Sequence, residues 1–216
     1  MVTTIYGVPG GGLDAGFSGQ KVTSRHAIAA AAKAERDTAE ILNRIAGVNG
    51  AVVLHDVKIP GKYSANIDHI VVTGSTLHLV DSKAWASGFL WTLGRTTRRG
   101  TKRFAACDKG TMKLADDMLR AYLMSRAVRF DSIDSTVVVW PSSRDGGVST
   151  WAARFPHARL IHSGKLDRLA GGWVRRSAPA DERIVAALVP LLVTKPRPSG
   201  HLAAGLTQAI LDPEGW

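Results

Sequence analysis

Two aspartates and a lysine, Asp68, Asp81 and Lys83, flank the dipeptide Gly74-Ser75. The segments on either side, IDHIVVT (67–73) and TLHLVDSK (76–83), are β-branched and apolar. Glycine at the first position of a two-residue loop suits a tight type II′ hairpin. With that loop, Thr73 pairs with Thr76 and Val72 with Leu77, and counting outward sets Asp68 opposite Asp81, with β-carbons ~5 Å apart on one face. Lys83 follows two residues later on the same face, ~7 Å along the strand. Ile70, Val72, Leu77 and Leu79 make up the rest of that face, so two carboxylates and an ammonium close an apolar stripe.

Opposed carboxylates repel, and burial strengthens the repulsion and raises one pKa. A divalent cation relieves it. Magnesium takes oxygen ligands, keeps several waters and uses one or two carboxylates. It lowers the pKa of a bound water and stabilises charge on a phosphate in flight, while a neighbouring lysine positions the nucleophile or steadies the transition state. Asp68 and Asp81 are therefore candidate ligands for Mg²⁺, with Mn²⁺ as a substitute, and Lys83 is their candidate catalytic partner. The plainer reading of these residues is a structural Lys83–Asp81 pair at a sheet end, with Asp68 solvated.

A helical pattern upstream carries another acid. Glu35 shares the face of Ile28, Ala31, Thr38, Ala39 and Leu42, which should pack on the sheet. Glu40 falls instead beside Lys33, Arg36, Asp37 and Arg44. An acid turned toward a sheet needs a partner, and Lys83 or a metal-bound water would serve. A boundary glutamate reaching water is the alternative.

The elements that must position these groups follow from periodicity. Helix is expected from Thr23, with Ser24 as a cap and Gly47 and Gly50 as stops. AVVLHDVKI (51–59) reads as a strand ended by Pro60-Gly61. Residues 108–127 read as a helix, 135–140 as a buried strand, 158–162 as a short strand and 181–193 as a helix. Residues 92–106 read as an irregular basic loop or a poorly formed hairpin. A glycine-rich arm (1–22) precedes one domain (23–194), and a Pro-containing tail (195–216) follows it. The expected class is α/β, a mixed sheet flanked by helices.

With these residues in view, the sequence resembles the nuclease-related domain family, a branch of the PD-(D/E)xK nuclease superfamily. The matching stretches are AERDTAEIL, VVLHDVKIP and ANIDHIVVTGSTLHLVDSKAW, with Gly88 three residues after Trp85. The resemblance implies a restriction-endonuclease-like αβββαβ core and magnesium-dependent phosphodiester cleavage. Asp68, Asp81 and Lys83 would be the motif residues and Glu35 the acid of the first helix. Ala34 stands where the family often has glycine, and Asp81 replaces the glutamate alternative.

Arg95, Arg98, Arg99, Lys102 and Arg103 follow the hairpin without an intervening acid, between Trp91 and Phe104. They suit a phosphate backbone, or else form a solvated loop. His55, His69 and His78 lack the spacing of a closed zinc site, and His69 and His78 fall on the face opposite the acids. Cys107, the only cysteine, reads as a small buried residue. VPGGGLDAG lacks the GK[ST] of a phosphate-binding loop.

The 216 residues carry 45% hydrophobic side chains and a net charge of +10. That composition is globular, and its basic balance favours polyanions, nucleic acid first. No membrane span or signal peptide is visible, so a cytoplasmic location is expected; the oligomeric state is left open. The leading expectation is an endonuclease acting on DNA, in DNA processing or defence. The alternatives are a non-catalytic nucleic-acid-binding module on a degenerate nuclease fold, and a basic scaffold or membrane-surface protein.

Overall fold

A computed structural model describes residues 4–10, 25–63, 65–108, 110–143 and 146–193. The expected Ser24 cap and the 195–216 tail lie outside them. In chain order the strands and α-helices are β1 (Ile5–Tyr6), α1 (Arg25–Ile45), β2 (Val52–Lys58), β3 (Asn66–Thr73), β4 (Thr76–Trp85), β5 (Gly88–Leu93), β6 (Thr96–Arg99), β7 (Lys102–Arg103), α2 (Thr111–Ser125), β8 (Ser132–Pro141), β9 (Val148–Ala152), β10 (Arg159–His162), α3 (Leu166–Val174) and α4 (Glu182–Leu188). The order α1-β2-β3-β4-α2-β8 is the expected αβββαβ core.

The main sheet runs β1-β2-β3-β4-β8-β10. β2, β3 and β4 are antiparallel neighbours, and β8 lies parallel to β4 over ten residue pairs, from Thr76↔Ser132 to Trp85↔Pro141. The strand bearing Asp81 and Lys83 is thus central and held on both edges. Period-two alternation sends Leu54, Ile70, Leu79 and Val137 to one face, packed with Met112, Leu119 and Leu123 of α2 and Ile184 and Leu188 of α4. Val53, Val71, Val80 and Val138 go to the other, against Leu42 of α1 and Leu166, Ala170 and Val174 of α3.

Alanines favour helix through much of α1, and the chain leaves the helix with Gly47 at φ +81°. Pro190 stops α4 early: the helix expected over 181–193 ends at Leu188 and continues as a 3₁₀ turn, Val189–Leu191.

Besides the strands within 88–103, three elements depart from the sequence expectation. Ile5 and Tyr6, within the expected arm, form an edge strand paired in parallel with Val53 and Leu54. Val148–Ala152 is a strand and Leu166–Val174 a helix, neither of them anticipated. Gly171 and Gly172 obscure the helix, yet Leu166, Ala170 and Val174 recur at helical spacing and are buried.

Candidate active site

The β3–β4 hairpin has the register expected from its loop. Thr73 pairs with Thr76, Val72 with Leu77 and His69 with Val80, and Gly74 takes φ +54° as a primed turn demands. Continuing the count one step beyond His69↔Val80 sets Asp68 against Asp81, whose charge Asp68 feels. Asp81 is buried, while Asp68 and Lys83 are half-buried. Lys83 Nζ donates to Asp81 Oδ1 at 2.7 Å, and the backbone N–H of Ser82 donates to Asp68 Oδ2 at 2.6 Å. The apolar floor, Ile70, Val72, Leu77 and Leu79, is fully buried.

The electrostatics follow from this crowding. Burial, reinforced by Asp81 and Glu35, drives the Asp68 carboxyl well above its usual range, and Lys83 and the Ser82 N–H only partly counter it. Burial disfavours the Lys83 ammonium, but Asp81, Asp68 and Glu35 around it outweigh that and hold its pKa above the usual lysine value. Lys83 therefore keeps its proton at neutral pH.

Glu35 belongs to α1, which covers the opposite face of the sheet. Its carboxylate still comes close enough to Asp56, Lys83 and Asp81 to feel their charges. Burial raises its pKa, opposed chiefly by the Gly10 N–H, which donates to Oε1 at 2.6 Å. That bond ties the N-terminal segment to the helix acid, a link that periodicity alone does not reveal.

Asp56 joins the cluster unannounced. It lies between the pairs His55↔His69 and Val57↔Ile67, level with Asp68, and is buried with Oδ1 accepting from Asn66 Nδ2 at 2.9 Å. Leu54 and Val57 share one core although three residues apart, so the two-residue alternation slips between them. Asp56 absorbs the slip at φ +54°, a conformation that Asp tolerates better than most residues.

Behind the acids, a buried polar chain locks β4 to α1. Ser82 Oγ donates to Thr38 Oγ1 at 2.9 Å, Thr38 donates to the Ala34 carbonyl, and Trp140 Nε1 donates to Thr38 Oγ1 at 2.8 Å. His69 Nε2 lies 3.4 Å from Ser82 Oγ, and its Nδ1 lies 2.8 Å from His55 Nδ1. His55 Nε2 in turn meets Asn43 Oδ1 at 2.9 Å. Burial lowers the pKa of His55 to about 4 and that of His69 well below the usual value. These histidines are neutral hydrogen-bonding groups of the helix face. His78 stacks on Trp173, ring centroids 4.4 Å apart.

The donor set facing the apolar stripe is hard oxygen. Among the described residues no group of three or more His, Cys, Asp or Glu side chains is arranged to hold a metal ion. A cation between Asp68 and Asp81 would thus draw the rest of its shell from water and substrate, as magnesium does. It would also relieve the repulsion that raises the Asp68 pKa. On both counts the residues fit a magnesium ion.

The basic segment is not an irregular loop. Residues 88–103 form a three-stranded antiparallel meander, β5-β6-β7, extended by β9 into a second sheet of order β7-β6-β5-β9. Its two turns, Gly94-Arg95 and Gly100-Thr101, repeat the hairpin signal of Gly74-Ser75, with Gly94 at φ +59° and Gly100 at φ +58°. Arg95 sits exposed at the first turn, and Lys102 and Arg103 are exposed on β7. The Arg98 guanidinium lies 5.9 Å from the Trp91 ring centre, and that of Arg99 lies 5.3 Å from Phe104. Phe104 meets Trp85 edge-on at 4.9 Å, which joins the basic sheet to the strand carrying Lys83. Gly88 takes φ +143°, which strains any residue with a side chain, and a β-carbon there would crowd Arg99 Cγ at 3.0 Å.

Cys107 is buried. No described helix is long and apolar enough to cross a membrane. Neither the curated proteins nor the solved structures yielded a match. The family model described as nuclease-related domain matches residues 30–138, from α1 through β2, β3, β4 and α2 into β8. That span is just over half of the chain and takes in Glu35, Asp68, Asp81 and Lys83, so the protein belongs to the nuclease-related domain family.

Proposed function

We propose that the protein is a magnesium-dependent nuclease that hydrolyses phosphodiester bonds in DNA. The observation that supports this most is the hairpin register that opposes Asp68 to Asp81, with Lys83 bonded to Asp81 at the end of an apolar stripe. Asp68 and Asp81 would hold the ion, which when bound would supply a water of lowered pKa and an electrophilic contact to the phosphate. The Ser82 N–H fixes the orientation of Asp68. Lys83, which retains its proton, stabilises negative charge on the reacting phosphate and is unsuited to act as a base. Glu35 holds a proton or a water beside the same group, as its raised pKa allows.

Nicking of supercoiled plasmid by the purified chain, with Mg²⁺ or with EDTA, tests the reading. Cleavage that needs Mg²⁺ and disappears in Asp81→Ala supports it. Cleavage indifferent to both, or DNA binding without any cleavage, counts against it, and the second result would favour the non-catalytic binding module.

A further inference from the structure

The second sheet has an outer face of aromatic and cationic side chains. Along β5, exposed Phe89, half-buried Trp91 and exposed Leu93 alternate with Leu90, which is fully buried in the core. Trp151 of β9 is 80% exposed, and its ring lies 5.6 Å from that of Phe89. On the other flank Trp91 pairs across the strands with Arg98, and Arg98 with Arg103. Trp91 Nε1 donates to the Gly100 carbonyl at 2.8 Å, which fixes its ring.

A recess of about 340 Å³ lies beside this row, lined by Thr92, Gly94, Trp151, Ala152, Ala153 and Arg154. That is within the size range of small-ligand sites. The segments 82–107 and 146–166, which contain the whole sheet, include no Asp or Glu. The strands of this sheet are therefore basic in sequence.

Exposed rings among arginines suit one ligand chemistry above others: bases that stack on the rings while their phosphates reach the guanidinium groups. A closed duplex offers phosphates but keeps its base faces inside the stack. We propose that this face binds unpaired bases of single-stranded DNA, with Trp151 and Phe89 as the stacking platform and Arg98 and Arg154 on the backbone. The proposal rests on the nuclease reading and narrows its substrate to DNA with an unpaired segment. β5 begins three residues after Trp85, and Trp85 is two residues beyond Lys83, so the sheet that carries this face follows the strand of Lys83 directly in the chain.

The test uses the full chain in EDTA, where cleavage is off, with fluorescent oligo(dT) and a blunt duplex of equal length. Trp151→Ala should weaken oligo(dT) binding by about 5- to 100-fold, the range expected for one lost base–aromatic stack. Duplex affinity should change by less than about threefold, and the salt slope should not change, since no charge is removed. Trp151→Phe should restore most of the loss. Equal weakening on both ligands, no weakening, or no oligo(dT) binding by the unaltered chain would overturn the proposal. So would a Trp151→Ala change that turns a dimer into a monomer, because a second copy would then occupy the face. Trp151-dependent binding without Mg²⁺-dependent cleavage would sink the nuclease reading alone. Cleavage without any role for Trp151 would sink only this inference.

Discussion

Asp68 accepts the backbone N–H of Ser82 at 2.6 Å, so the strand that carries Asp81 also orients the carboxylate opposed to it. The contact and the repulsion can be separated chemically. Asparagine at position 68 keeps an acceptor for Ser82 and loses the charge.

Asp68→Asn should therefore stabilise the metal-free protein at pH 7–8. Because burial and Asp81 raise its pKa in the folded state, Asp68 favours folding fully only below its unfolded pKa. That contribution is lost as pH rises through the folded value. The gain from Asp68→Asn should thus shrink toward zero as pH falls below about 3, where the wild-type carboxyl is protonated in both states. A relief of about 1 kcal/mol corresponds to roughly 2–4 °C in Tm for a chain of this size. Melting curves in EDTA across pH check it; a lower Tm for Asp68→Asn at pH 8 would contradict it.

Glu35 should separate charge from contact in the same way. Glu35→Gln retains an acceptor for the Gly10 N–H and should melt within about 2 °C of wild type, with cleavage down at least tenfold. Glu35→Ala leaves that buried N–H unpaired, which costs about 1–3 kcal/mol. Thermal melts alongside nicking rates distinguish the two. Full activity in Glu35→Gln would remove Glu35 from the site chemistry.

Acid should loosen the helix face first. His55 has its pKa lowered to about 4 by burial, so the unfolded chain binds its proton more readily. Its contribution is present above the unfolded value of about 6.5 and is lost as pH falls toward 4, an effect of roughly 3 kcal/mol. Denaturant midpoints at pH 7, 5.5 and 4.5 should therefore drop faster for wild type than for His55→Gln. Parallel curves would show that His55 does not titrate in this window.

The basic meander should divide by exposure. Arg95 and Lys102 are exposed, so changing both to Ala should flatten the slope of log affinity against log salt on duplex DNA by up to ~2 and leave Tm within about 1 °C. Arg99 packs on Phe104 and against Gly88, so Arg99→Ala should also lower stability, by about 0.5–1 kcal/mol. Salt titrations and melts of the two variants decide this. An unchanged slope in the double variant would move the phosphate contacts elsewhere, with Arg154 and Arg159 the next to change.

The hairpin was legible because turn chemistry and alternation agree: Gly74-Ser75 sets the register, and the register places Asp68 and Asp81. The same glycine signal at Gly94 and Gly100 sits among arginines and threonines, where no apolar alternation announces a strand. The meander consequently reads as a loop or a poorly formed hairpin until its partner β9 is seen. Asp56 was hidden for a related reason, since a slip in alternation shows only when both neighbouring strands are in place. The Gly10–Glu35 bond spans 25 residues, and nothing local in either segment encodes it. What the sequence exposed is what depends on near neighbours; what it concealed depends on contacts between distant segments.

Asp81→Asn tests the central claim most directly, by measuring cleavage and binding on one DNA in parallel. Asp81 is bonded to Lys83 and its charge acts on Asp68; in the proposed mechanism that charge would both hold the cation and repel phosphate. The account predicts that Asp81→Asn loses plasmid nicking in Mg²⁺ by at least about a hundredfold, roughly 2.7 kcal/mol in the barrier. It also predicts DNA binding in EDTA equal to or tighter than wild type. Nicking that persists in Asp81→Asn, or binding lost together with cleavage, would contradict it and leave Asp81 as a structural partner of Lys83.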